Sequence, residues 1–399
     1  MGEPQSGNSQ SMLKNTLGQS VKTQKAAKSF TRRGLLKSAG AIIGASAIAP
    51  LFSSRSLASS GELKVFAWKG YFSDELIDEF KKDTGIKITV TDFDTNAEAL
   101  LDLKTPKAES FDIVFSSASA LTNWYVADDL LQPIDESRLS LDEIHPVILE
   151  KSLDLDTIYR GRRYALPFSW GAEGIAFDST VRDYKPGQTS WADQWLPENK
   201  GFVTTRPRSA LTSMALMLDG TGERLDSAYV NEDLAREVFG EALLFGIEHK
   251  PYIRQFWNDA ESIASAFTLN HCVVGQSWDG TALNLWKESR SKFKFVAPKE
   301  GALAWLDTMV LPTGAVNLDQ AYELMNWLSS AKGGGMFMSQ SGYNSVVTGA
   351  EEKLDLASRD RFNFAYNNGE AIENLYWWKP EPKWFRDLRD LYVRKYKAA

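Results

Sequence analysis

Imidazole and thiol groups are scarce in this chain of 399 residues: His145, His249, His271 and Cys272 are all it holds. His145 precedes Pro146 in an expected loop, His249 ends a helical run and His271 leads a strand, so each reads as structural. A zinc centre or a nucleophile with its base needs several such groups in usable geometry. Neither a Gly-x-Ser-x-Gly nucleophile elbow nor a His-Glu-x-x-His zinc helix occurs. Gly333-Gly334-Gly335 lacks the Lys-Ser or Lys-Thr of a phosphate loop and reads as the end or loosening of a helix. A single cysteine excludes an intramolecular disulfide and a thiolate cluster. No cofactor or metal is expected. Aromatic side chains, by contrast, make up 12% of the chain, 13 of them Trp, which asks for an explanation beyond core filling.

The elements that position these residues must come from a chain that is 43% hydrophobic and 24% charged, too large for one small module and too apolar for disorder. Two domains are expected. Forty-five Lys and Arg against 52 Asp and Glu leave a net charge of -7, so no basic footprint for nucleic acid exists.

Residues 1–30 are polar and carry no apolar periodicity. Arg32-Arg33 then precede an apolar, Ala-rich run over 39–52 and small residues at Ser56-Leu57-Ala58. That order looks like a twin-arginine export signal cleaved near Ala58, which implies a periplasmic location. A membrane anchor is the competing reading, but about 14 apolar residues reach only ~21 Å of a ~30 Å hydrocarbon core.

From Leu63 onward short β-rich runs alternate with helical stretches. A strand is expected over 63–68, a helix capped by Ser73 and stopped by Gly85, a strand over 86–90, a helix over 97–103 and a strand over 111–115. This spacing implies parallel crossovers, so the segments following the strands, 68–71 and 116–119, share the sheet edge where ligands sit. The run 164–170 is expected to end the first lobe and Gly174 to open a new strand. Further strands are expected over 201–205 and 272–276, a helix over 209–218, a returning strand over 309–312 and a helix over 318–331.

Several short patterns, read in order, resemble the spermidine/putrescine-binding family of ABC importer substrate-binding proteins. They are Trp68-x-x-Tyr71, Phe80-x-x-x-Thr84-Gly85-Ile86-Lys87, Phe111-Asp112-Ile113-Val114, Leu166-Pro167-Phe168-Ser169-Trp170-Gly171 and Ser190-Trp191-Ala192-Asp193, then Trp278-x-Gly280, Pro298-Lys299-Glu300-Gly301, Trp305-x-Asp307 and Gly342-Tyr343-Asn344. The resemblance implies an α/β fold of the two-lobed periplasmic-binding-protein type, a clamp with discontinuous lobes and a hinge. Its lobes would be 59–167 plus 308–345 and 168–307 plus 346–399, after the signal segment 1–58. It also implies a monomer that binds a small amine or amino acid and delivers it to an inner-membrane ABC permease, without catalysis.

Carried over by position, Trp68, Tyr71, Ser117, Trp278, Trp305, Asp307 and Tyr343 match the cleft residues of that family, with Trp378 a further candidate to close the pocket. Aromatic walls suit a methylene chain and attract ammonium groups, for which Asp307 supplies the directional partner. Two departures bear on the ligand. Where polyamine binders usually carry acids the sequence is Thr205-Arg206-Pro207-Arg208, and Gly70 stands before Tyr71 where an acid is common. Lys379 adds another cation near the C-terminal segment. If Asp307, with Asp279, holds an ammonium and Arg206 or Arg208 chelates a carboxylate, the ligand is a zwitterionic ω-amino acid such as γ-aminobutyrate. The alternatives are a polyamine, with the arginines facing solvent or paired with acids, and, distantly, a periplasmic carbohydrate enzyme using Asp279 and Asp307 as an acid pair.

Overall fold

The computed structural model describes residues 61–126 and 128–399. The twin-arginine segment and the cleavage position near Ala58 lie outside the described residues. Among the described residues no helix is long and apolar enough to cross a membrane.

The first strand, Glu62–Trp68, pairs in parallel with Lys87–Phe93 on one side and Ile113–Ser117 on the other, as the alternation of strand and helix predicts. The helix between the first two, Asp74–Thr84, begins where Ser73 Oγ accepts from the Leu76 N–H and ends at Gly85 with φ 75°. Its buried Leu76 and Phe80 press one face onto the sheet. A second parallel set, Val274–Trp278, Val203–Thr205 and Ile253–Phe256, forms the other flank. Two long strands join the flanks: Leu303–Pro312 pairs antiparallel with Ile113–Ser117 and with Ala165–Asp178, and Ala165–Asp178 pairs antiparallel with Val274–Trp278.

Both long strands run through two hydrophobic cores. Leu166, Phe168 and Trp170 belong to the first core with Phe66, Phe80, Phe115 and Met309, whereas Ile175 and Phe177 belong to the second with Trp191, Phe239 and Leu303. The sequence reading expected a break after Trp170 and a new strand at Gly174. The strand is instead continuous, because Gly171 and Gly174 serve close approach rather than a turn. A Cβ on Gly171 would lie 2.2 Å from the Trp305 indole, and one on Gly174 would lie 2.5 Å from the Phe295 ring.

Two other expectations shift. The returning strand begins at Leu303, not Met309, so Trp305 and Asp307 lie within it. Gly333-Gly334-Gly335 neither ends nor loosens a helix, because they sit inside Ala331–Ser341. They are bare because Cβ atoms there would lie 2.0 Å from the Trp327 carbonyl oxygen, 2.6 Å from Ser345 Oγ and 2.4 Å from Lys353 Cβ. The expected helix over 318–331 is accordingly two, Leu318–Leu328 and Ala331–Ser341.

Candidate ligand-binding cleft

The C-terminal ends of the parallel strands open onto a cleft of about 900 Å³. All eleven side chains named from the sequence line it: Trp68 ending the first strand and Tyr71 after it, Ser117 ending the third, Arg206 and Arg208 after Val203–Thr205, Trp278 ending Val274–Trp278 and Asp279 after it, and Trp305, Asp307, Tyr343 and Trp378. A smaller cavity of about 310 Å³ beside Trp170 is lined by none of them.

Asp307 is buried, only 4% exposed. The pairing of its strand with Ala165–Asp178 slips just after it: Asp307 faces Ser169, but Thr308 faces Pro167. Pro167 has no N–H to give the ladder, and the bulge beside it re-aims the carboxylate. Tyr71 Oη donates to Asp307 Oδ2 at 2.6 Å and Ser117 Oγ donates to Oδ1 at 2.7 Å. Gly70, at φ 87°, sits in a turn closed by the Tyr71 N–H on the Trp68 carbonyl at 3.1 Å. Burial holds the Asp307 carboxyl above the ordinary carboxylate range, against hydrogen bonds from Tyr71, Ser117 and Trp305. Among the described residues no Lys, Arg or His pairs with it.

Aromatic rings line the cleft. Tyr343 meets Tyr71 edge to face at 5.5 Å, Trp68 packs on Phe93 at 4.6 Å, and Trp278 meets Trp257 at 5.1 Å. The Trp305 indole lies directly over Gly171, its partner across the strands. Trp378 is half-buried at the second core, with its N–H bonded to the Ala304 carbonyl at 2.8 Å, so it both lines the cleft and packs.

Two of the other predicted charges, Asp279 and Arg206, are already engaged. Asp279 accepts four hydrogen bonds, from the N–H of Ala172 (3.1 Å) and of Gly280 (2.7 Å), Asn344 Nδ2 (2.9 Å) and Tyr366 Oη (2.6 Å). It is a post binding several segments together rather than a second free carboxylate beside Asp307. Burial nonetheless pushes its carboxyl up to about 6.

Arg206 enters the cleft, but Glu173 holds it, Nη1 to Oε1 at 2.6 Å. The sequence reading had offered this arginine to a ligand carboxylate. Arg208 is exposed at the rim, Lys379 is paired with Asp226 at 2.9 Å, and Glu381 is paired with Arg389. Glu173 itself was missed. It is 1% exposed and its Oε2 also accepts from Gln276 Nε2 at 2.8 Å and from Ser209 Oγ. The signal was present: an acid in the middle of a largely apolar strand, all fourteen residues of which are buried, has to find a cation or donors.

The sequence profile of the bacterial extracellular solute-binding proteins matches residues 75–362. Spermidine/putrescine-binding periplasmic protein 1 of Haemophilus influenzae is 29% identical over 329 residues, covering 80% of this chain and 84% of its own. The putrescine-binding periplasmic protein PotF of Escherichia coli is 28% identical over 281 residues, covering 67% and 72%. The structure of the spermidine/putrescine ABC transporter substrate-binding protein PotD from Streptococcus pneumoniae superposes with a TM-score of 0.69 at 22% identity, over 84% of this chain and 98% of that one. That likeness shows the two-lobed fold. With the profile spanning well over half of the chain, this chain belongs to the family of bacterial extracellular solute-binding proteins, which are not enzymes.

Proposed function

We propose that the protein is the substrate-binding component of an ABC importer and that its cargo is a small organic amine of the polyamine class. One observation carries the reading: Asp307, buried and without an ion partner among the described residues, stands at the bottom of an aromatic cleft. A buried carboxylate without a cation is unfavourable by several kcal/mol, and a ligand ammonium supplies the missing charge. The faces of Trp68, Trp305 and Tyr343 add cation–π attraction of ~0.5–2 kcal/mol where water is excluded, and with Trp278 they give the methylene chain apolar walls.

The relatives named for spermidine and putrescine support this class. The ω-amino-acid reading needs a free guanidinium deep in the cleft, whereas Arg206 is tied to Glu173 and Arg208 is exposed at the rim, so the polyamine reading stands ahead of it. On this proposal the lobes are 59–167 plus 308–345 and 168–307 plus 346–399, and they close on the ligand by bending where the two long strands cross between them. The protein acts as a monomer, exported by its twin-arginine segment to the periplasm, and hands cargo to an inner-membrane permease.

Calorimetry with spermidine, putrescine and γ-aminobutyrate on ligand-free protein tests the proposal. The polyamines should bind, and Asp307→Asn should weaken them by about 30-fold to several thousand-fold, the ~2–5 kcal/mol of a buried charge pair broken on one side. Tight γ-aminobutyrate binding without polyamine binding, or an Asp307→Asn variant that binds polyamine like wild type, overturns it.

A further inference from the structure

Arg206 stands where a helix gives an arginine no reason to be. It is the N-cap of Pro207–Asp219, and its side chain makes no capping bond. Arg is not a preferred N-cap residue, and the positive end of the helix dipole repels its charge. What holds it is a complete cation site. Nη1 lies 2.6 Å from Glu173 Oε1, and the guanidinium carbon sits 5.0 Å from the centre of the Trp278 ring and 5.4 Å from that of Trp257. A buried carboxylate with two indole rings beside it is what would otherwise receive an ammonium group.

We propose that Arg206 is a built-in cation that fills the second ammonium position of the cleft, so that this protein seats one ammonium of its ligand, at Asp307, and none at Glu173. The proposal rests on reading the cleft as an amine site and narrows its substrate class to amines recognised by a single charged end. Glu173 has little left to offer: its two oxygens accept from Arg206, Ser209 and Gln276, and its side chain is 2% exposed. The Trp278 and Trp257 rings already have their cation. Asp307 has neither a paired charge nor a competitor. A second ligand ammonium at this end would meet a fixed guanidinium and be repelled.

The test compares putrescine with butylamine, which has the same four-carbon chain and one amine fewer. Wild type should bind the two within about threefold of each other, since the second ammonium finds no partner. Arg206→Gln keeps a hydrogen-bond donor against Glu173 but removes the charge, exposing an unanswered carboxylate. In that variant the putrescine-to-butylamine affinity ratio should rise about tenfold or more. The double variant Glu173→Gln with Arg206→Gln removes the buried charge as well, so it folds without an unpaired acid, and its ratio should return to the wild-type value. A ratio unchanged in Arg206→Gln while butylamine still binds overturns the built-in cation and leaves the amine site standing. If γ-aminobutyrate outbinds putrescine in wild type and loses that advantage in Arg206→Gln, Arg206 receives a carboxylate and the inference is wrong. Failure of both amines to bind wild type and both variants overturns the amine site, and the inference with it.

Discussion

Asp279 makes the stability of this protein fall as the solution is taken from mildly acidic to neutral. Burial pushes its carboxyl from the ordinary 3.8 up to about 6, despite four hydrogen bonds. The folded state therefore holds this proton more tightly than the unfolded chain does. The stabilisation is complete below about pH 4 and is lost as the pH rises through 6. A rise of about two pKa units corresponds to ~3 kcal/mol in full, of which about 1.4 kcal/mol disappears between pH 5 and pH 7.5. Burial raises Asp307 as well, and it acts with the same sign. The exposed carboxylates whose pKa is lowered by lysines or capping donors, such as Asp83, Asp135 and Asp387, act in the opposite sense, but only as the pH falls below the ordinary carboxylate range.

Asp279→Asn isolates the effect. An asparagine can keep its oxygen toward Ala172, Asn344 and Tyr366 while its amide nitrogen faces the Gly280 N–H, so one hydrogen bond is lost and the buried charge goes with it. Urea unfolding of ligand-free protein, followed by Trp fluorescence at pH 5 and pH 7.5, should show wild type less stable at the higher pH. The variant should lose about 1 kcal/mol of that difference. Ligand must be removed first, because mass action alone would stabilise the folded state. A pH dependence in Asp279→Asn as steep as in wild type would refute the assignment.

Two other perturbations read the cleft directly. Gly171→Ala forces the Trp305 indole off its seat, since the new Cβ falls 2.2 Å from the ring; it should cost ~1–3 kcal/mol of stability and weaken amine binding by about 2- to 30-fold, measured by thermal unfolding and calorimetry, and an unaltered affinity would show that Trp305 is no part of the ligand wall. Because burial raises the Asp307 carboxyl, amine affinity should fall as the pH drops, beginning at a higher pH than for an exposed aspartate and steepening to about tenfold per unit; an affinity that rises toward acid would contradict an ionised Asp307 as the ammonium partner.

The parts of this protein that local rules govern were readable from sequence. Ser73 and Gly85 bracket a helix as cap chemistry predicts, and parallel pairing of Glu62–Trp68 with its two neighbours follows from strand and helix spacing. That pairing put Trp68, Tyr71 and Ser117 at one sheet edge, and the family patterns added the rest of the cleft wall. What local rules could not reach were features set by distant partners. Gly171 and Gly174 look like punctuation until Trp305 and Phe295 are seen lying on them, and Gly333-Gly334-Gly335 looks like a helix end until Trp327, Ser345 and Lys353 crowd it. The charge of Arg206 is visible in the sequence, but its cancellation by Glu173, thirty-three positions away, is a property of the fold.

Asp307 and Glu173 share a geometric relation that the lobes cannot easily change. They lie on neighbouring antiparallel strands, where Asp307 faces Ser169 and Leu303 faces Glu173, so their backbone positions are four residues apart along the ladder. At about 3.3 Å per residue that is ~13 Å, fixed by the pairing of the two strands rather than by the angle between lobes. The walls are different, since Trp68, Tyr71 and Ser117 stand at the ends of strands of one flank and Arg206, Arg208 and Trp278 at the ends of strands of the other. Closure would therefore bring walls to a ligand whose charged end is already registered on a rigid ruler. With Glu173 occupied by Arg206, only the Asp307 mark of that ruler is open, and length selection along it passes from charge pairing to the fit of the methylene chain between indole rings. A series of n-alkylamines should then show affinity climbing with each buried methylene by about fourfold and levelling off once the chain reaches Arg206. A series of flat affinity would mean that the chain lies in solvent and that the aromatic walls hold something else.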